Sequence, residues 1–189
     1  MLVMAACLLA VLSPLVALRW PAGLLLRRWR LPVLIWGALL AQIIIIDVPL
    51  PEALAPVLHL ATYAAALAFL WLNRAVRGVL VVAAGAISNG VTIALNGGVL
   101  PASAAATAAA GIDPEHAFAN TAVMDHPVLP WLGDVFAWPE PLPLANTFSI
   151  GDLLIVVGVA LVAWSGTRPL RGGSVEPAGD DAPLAAADR

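Results

Sequence analysis

Five long apolar runs, at residues 2–18, 31–46, 54–72, 78–95 and 150–164, constrain this chain more than any other feature. Asp152 is the one charged residue inside any of them. Each run is apolar on every side and lacks the strict alternation of a half-exposed strand, so each predicts a helix. About twenty apolar residues cross a bilayer. The chain is 61% hydrophobic and 11% charged, whereas soluble domains carry roughly a quarter charged residues. The expected fold is therefore an all-α membrane protein: five transmembrane helices in one domain over residues 1–166, with a long, partly helical extracytoplasmic loop at 96–149.

Charge placement extends that expectation to a topology. Arg19, Arg27, Arg28 and Arg30 lie between runs one and two, Arg74 and Arg77 between three and four, and Arg168 and Arg171 after five. Asp47, Glu52, Asp113, Glu115, Asp125, Asp134 and Glu140 fall in the alternate connections. Basic residues favour the cytoplasmic side, so the amino terminus is expected outside and the carboxyl terminus in the cytoplasm of a multi-pass plasma-membrane protein. Trp20, Trp29, Trp36, Trp71 and Trp164 sit near the ends assigned to the cytoplasm, where amphipathic rings favour a headgroup layer. Residues 167–189, rich in Gly, Pro and acids, predict a disordered tail. The bilayer is the expected partner, with a membrane or extracytoplasmic protein as a further one. Nucleic acid is excluded for want of a continuous basic face. Cys7 has no second cysteine to pair with.

The connection at 96–149 is too long to be a simple link. Residues 102–110 predict a short helix, and Asp113-Pro114-Glu115 reads as the start of another, running to Met124. Asn96-Gly97-Gly98 reads as a helix end with a left-handed turn.

Polar residues in the fourth run share one face: Gly85, Ser88, Asn89, Thr92 and Asn96 follow helical spacing. The bland reading is helix packing through small residues and hydrogen bonds; the functional one is a small polar cleft. His59, near the start of the third run, joins Ser88, Asn89, Thr92 and Asn96 as a cleft candidate, and Asn89 is expected to face the interior beneath the 96–149 segment. Asp134 and Asp152 are the candidate catalytic residues, as an acid pair able to share a proton. A simpler reading of Ser149-Ile150-Gly151-Asp152 is a capping box, with Phe148 and Leu153 as its staple. On that reading Ser149→Ala costs about 1 kcal/mol and Asp152→Asn does little. His116 and His126, each beside an acid, do not reproduce metal-ligand spacing. No metal and no cofactor is expected.

Three landmarks in combination, Asn96-Gly97-Gly98-Val99-Leu100-Pro101, Leu132-Gly133-Asp134-Val135-Phe136 and Phe148-Ser149-Ile150-Gly151-Asp152, resemble an uncharacterised family of bacterial integral membrane proteins, catalogued as a domain of unknown function. Family members often carry a basic residue and methionine after the two glycines, where Val99-Leu100 stand here. The resemblance implies an architecture and no activity. Asp152 is also similar in position to an aspartate of lipoprotein signal peptidases, but Asn96 stands where their second aspartate would. The expected function is that of a non-catalytic binding or assembly protein. The alternatives are a membrane-embedded hydrolase using Asp134 and Asp152, or a small transport-related subunit.

Overall fold

The structure, a computed structural model, describes residues 1–47, 54–112 and 121–170. Each apolar run becomes a helix: α1 Leu2–Val16, α3 Val33–Asp47, α4 Leu54–Leu72, α5 Val79–Leu95 and α7 Ile150–Trp164, with a short α2 at Ala22–Leu25 and α6 at Ala104–Ala109. The helices stop where local chemistry stops them. Leu18 turns left-handed after α1 (φ 54°), and Gly78 does so immediately before α5 (φ 94°). Asn96 ends α5, and Gly97 and Gly98 continue at φ 70° and 98°, a conformation glycine adopts without a Cβ penalty. Ser149 starts α7.

These stops correct the expected membrane architecture. Among the described residues no helix is long and apolar enough to cross a membrane. Helices α1, α3 and α7 have 15 residues each, α5 has 17 and α4 has 19. At 1.5 Å per residue a fifteen-residue helix reaches about 22 Å, short of a hydrocarbon core of about 30 Å. The five transmembrane helices, the outside amino terminus and cytoplasmic carboxyl terminus derived from them, and the multi-pass plasma-membrane placement are therefore not sustained. Residues flanking α1, α5 and α7 that would have had to lengthen these helices are spent in turns.

Nor is the fold all-α. Strand β1 (Arg19–Trp20) pairs antiparallel with β6 (Arg168–Pro169), β2 (Leu100–Ala102) pairs parallel with β3 (Thr121–Val123), and β4 (Phe136–Trp138) pairs antiparallel with β5 (Asn146–Phe148). Thr121–Val123, expected within a helix reaching Met124, is a strand because Leu100–Ala102 offers it a partner and its β-branched ends suit a pleated surface. The start expected for that helix, Asp113-Pro114-Glu115, and His116 lie outside the described residues, as does the chain beyond Leu170. The short helix expected at 102–110 is present as α6, with the Ser103 side chain accepting from Ala106 N.

Helices α5 and α7 run antiparallel at the centre, and small residues set their separation. A Cβ on Gly85 would overlap Gly151 O, and one on Gly158 would come within 2.6 Å of Val82 N. Val79 and Ala86 of α5 join Leu70, Val76 and Val162 in the buried apolar cluster. Helix α1 packs on α7 and is tied to it by Trp164 Nε1 donating to Ser13 Oγ at 2.9 Å. Helix α3 lies against α4, where Gln42 Nε2 donates to Thr62 Oγ1 at 2.7 Å.

A paired amide contact fixes the connection between α2 and α3. Asn73, just after α4, donates Nδ2 to Arg30 O at 3.0 Å, and Arg30 N donates to Asn73 Oδ1 at 2.9 Å. The buried Asn73 side chain thus completes a strand-like pair with a loop 43 residues away.

Candidate functional site

The candidate site forms where the amino end of α7 meets the carboxyl half of α5. Ser149 and Asp152 build the capping box: Asp152 N donates to Ser149 Oγ at 3.1 Å, and Ser149 N donates to Asp152 Oδ2 at 2.9 Å. Asn89 then joins both residues. Its Nδ2 donates to Asp152 Oδ1 at 2.9 Å, and its Oδ1 accepts from Ser149 Oγ at 2.9 Å. The result is a closed ring of hydrogen bonds in which both Asp152 oxygens accept from fixed donors. Ser149 is fully buried and Asn89 is 4% exposed. Gly151 lets the helices approach this closely, because a Cβ there would overlap Asn89 Oδ1.

Asp134 occupies a second position close by. The backbone of the Leu132-Gly133-Asp134 motif is stitched to the end of Asn96-Gly97-Gly98-Val99-Leu100-Pro101: Asp134 N donates to Pro101 O at 2.9 Å, and Ser103 N donates to Asp134 O at 3.1 Å. Gly133 is required because a Cβ would overlap Pro101 O. Asp134 is 6% exposed, and Thr147 Oγ1 donates to its Oδ2 at 3.3 Å. Its Oδ1 is buried with no hydrogen-bond partner among the described residues. Burial, and next the nearby Asp152 charge, push the acid up to about 7, against the opposing hydrogen bond from Thr147. Thus Asp134 and Asp152 sense one another electrostatically while their hydrogen bonds go to different partners.

Of the other cleft candidates, Asn96 and Thr92 are engaged in internal hydrogen bonds. Asn96 Nδ2 donates to Thr92 O at 2.7 Å and to Val128 O at 2.9 Å, while Val128 N donates to Asn96 Oδ1 at 2.8 Å. Thr92, fully buried, donates its hydroxyl to Ser88 O at 2.8 Å. Ser88 Oγ is a buried atom with no partner among the described residues. His59 lies on α4, and its side chain is outside what the structure describes. The polar face of α5 is thus closed over by the 96–149 segment and by α7. Among the described residues no group of three His, Cys, Asp or Glu side chains is placed to hold a metal ion.

Beside the ring lies an open groove of about 410 Å³. Its walls are Leu2, Ala6 and Leu9 of α1, Leu153 and Val156 of α7, and Trp138, Leu144 and Phe148 from the segment before α7. Phe148 stacks on Phe136 with ring centroids 5.4 Å apart, which fixes the β4–β5 wall. Asp152 is the ionisable residue in this otherwise apolar lining. Thr147 and the groove residues of α1 were not anticipated from the sequence. Thr147 signals itself only through the alternation of β5, and the α1 residues read simply as part of an apolar run.

Fold and site together define a small helical-bundle protein in which three separated motifs interlock at one end of the central helix pair. Residues 27–164 match the family described as Family of unknown function (DUF5317), and the chain belongs to it. No curated protein and no solved structure matches the chain.

Proposed function

We propose that the chain is a non-catalytic binding protein whose ligand is a small amphiphile, with an apolar body and a hydrogen-bond-donating or cationic head. The observation that carries this reading is the groove of about 410 Å³, apolar except for Asp152 at its wall. Binding sites of this kind are largely apolar, with few polar groups that fix orientation. Both Asp152 oxygens already accept a hydrogen bond, which holds the carboxylate rigid. A carboxylate oxygen has two acceptor sites, so each can also receive a donor from the ligand. The apolar walls would take the body of the ligand, and charge complementarity with Asp152 selects the head.

The test is titration of the purified full-length chain with N-phenyl-1-naphthylamine, a neutral, apolar, fluorescent amine. Saturable binding is expected, with affinity reduced about tenfold or more when Ala6→Trp fills the groove. Unchanged binding in that variant, with an unchanged melting temperature, overturns the reading.

A hydrolase using Asp134 and Asp152 remains the second reading, on one observation: Asp134 keeps a buried, unpartnered oxygen and an acidity pushed up to about 7. It requires hydrolysis of an ester or peptide reporter that Asp134→Asn abolishes. The transport reading draws no comparable support, since Asn89, Thr92 and Asn96 are engaged in internal hydrogen bonds.

A further inference from the structure

The arginines gather at one end of the bundle. Arg19 is held by Nε donating to Thr167 Oγ1 at 2.7 Å, and the β1–β6 pairing sets Trp20 opposite Arg168. The Asn73 pair draws Arg30 to the end of α4, beside Arg74. The close approach of Gly78 to Gly158 and Val162 puts the start of α5 against the end of α7. Thus Arg19, Arg27, Arg28, Arg30, Arg74, Arg77 and Arg168 share this end. The carboxylates whose side chains are described, Asp125, Asp134, Glu140 and Asp152, all lie in the 96–149 segment or the first turn of α7, at the opposite end of α5 and α7.

Two of these arginines line a shallow, open surface pocket. A pocket of about 200 Å³ is lined by Ala22, Gly23, Leu26, Arg27, Gly166 and Arg168. Arg27 Nε donates to Gly23 O at 3.3 Å, which orients the guanidinium at the rim. Arg168 is exposed and is anchored through its backbone in β6. Neighbouring arginines are occupied differently: Arg19 is bound to Thr167, and the Arg74 guanidinium lies 4.5 Å from the Trp71 ring centroid. The pocket floor is tight backbone, since a Cβ on Gly23 would overlap Ser165 O. Arginine's planar fork matches the oxygens of a phosphate, which two guanidinia can bind from two sides. The volume exceeds that of several water molecules, each taking about 30 Å³.

We propose that the Arg27–Arg168 pocket is a binding site for a phosphate group, carried either as a free phosphate or on the headgroup of an anionic lipid. The site is independent of the apolar groove, which lies at the other end of α7.

The purified full-length chain is titrated with inorganic phosphate against chloride at matched ionic strength, and separately mixed with phosphatidylcholine vesicles with or without phosphatidic acid. Binding in the phosphate arm identifies a free phosphate, and binding confined to phosphatidic acid vesicles identifies a lipid headgroup. In either arm the R27Q/R168Q double variant is expected to bind about tenfold more weakly or worse, and R74Q to bind as the parent does. Both side chains are exposed, so the melting temperature of the double variant without ligand serves as its folding control. No response in either arm overturns the proposal. So does an equal response in the parent and the double variant, or an equal loss in R74Q, which reports diffuse charge instead of a pocket.

Discussion

Asn89 and Asp152, 63 residues apart, are joined by a 2.9 Å hydrogen bond from the Asn89 amide to Asp152 Oδ1. Because Ser149 Oγ donates to the other end of the same amide, α5 holds the first turn of α7 at two points. The capping box is consequently part of the tertiary structure as well as a local helix start, and the effects of substitution follow from that double role.

Ser149→Ala removes the acceptor for Asp152 N and the donor to Asn89 Oδ1. The lost cap and the buried carbonyl left unpaired are expected to cost about 2 to 4 kcal/mol together. Denaturant unfolding of the two proteins measures it. A loss near 1 kcal/mol, the ordinary worth of a cap, would show that the bond to Asn89 contributes nothing.

Asp152→Asn is also expected to destabilise, by about 1 to 3 kcal/mol, in contrast to the small effect that local capping suggests. The carboxylate accepts from Ser149 N and from Asn89 Nδ2 through different oxygens. An amide supplies one acceptor and turns a donor toward the other N–H. Thermal unfolding of the variant checks this, and a melting temperature equal to the parent's would contradict it.

Gly133→Ala is expected to destabilise by about 1 to 3 kcal/mol through overpacking, since its Cβ would overlap the Pro101 carbonyl that accepts from Asp134 N. Gly37→Ala provides the contrast. A Cβ there meets nothing within 4 Å and lies within α3, so it should stabilise by about 0.5 to 1 kcal/mol through helix propensity. Opposite signs in paired unfolding curves are the expected outcome.

Asp134 gives stability a pH dependence of defined sign. Its acidity in the folded chain is pushed up to about 7 from an ordinary 3.8. Between those values the folded state holds a proton that the unfolded state has released. This contribution is therefore complete below the unfolded value and is lost as pH rises toward about 7, with a slope of at most about 1.4 kcal/mol per pH unit. Asp134→Asn cannot ionise, and should flatten the profile and raise stability at pH 8 relative to the parent. A parent profile that the variant reproduces unchanged from pH 4 to 8 would refute the assignment.

Several local features were legible in the chain because they depend on neighbours in sequence. The apolar runs placed α1, α3, α4, α5 and α7 to within a few residues, since an apolar run buried by packing favours the helix throughout its length. Ser149 with Asp152 and Asn96 with its two glycines marked a helix start and a helix end, because caps act within a single turn. Composition also determined that apolar side chains outnumber the positions a small interior can bury. Leu9, Ile43, Val57, Val91 and Val157 are accordingly exposed.

Tertiary structure decided the rest. How far α1, α5 and α7 extend was settled by turns at Leu18, Gly78 and Ser165, and among the described residues no helix is left long and apolar enough to cross a membrane. Thr121–Val123 became a strand because Leu100–Ala102 lies beside it. Asn89 found Ser149 and Asp152, Asn96 found Val128, and Asp134 found Thr147 across separations of 13 to 63 residues. Periodicity states which face of a helix is polar but not which groups will meet it, because a hydrogen bond depends on ångström-scale placement that exists only once the helices have packed.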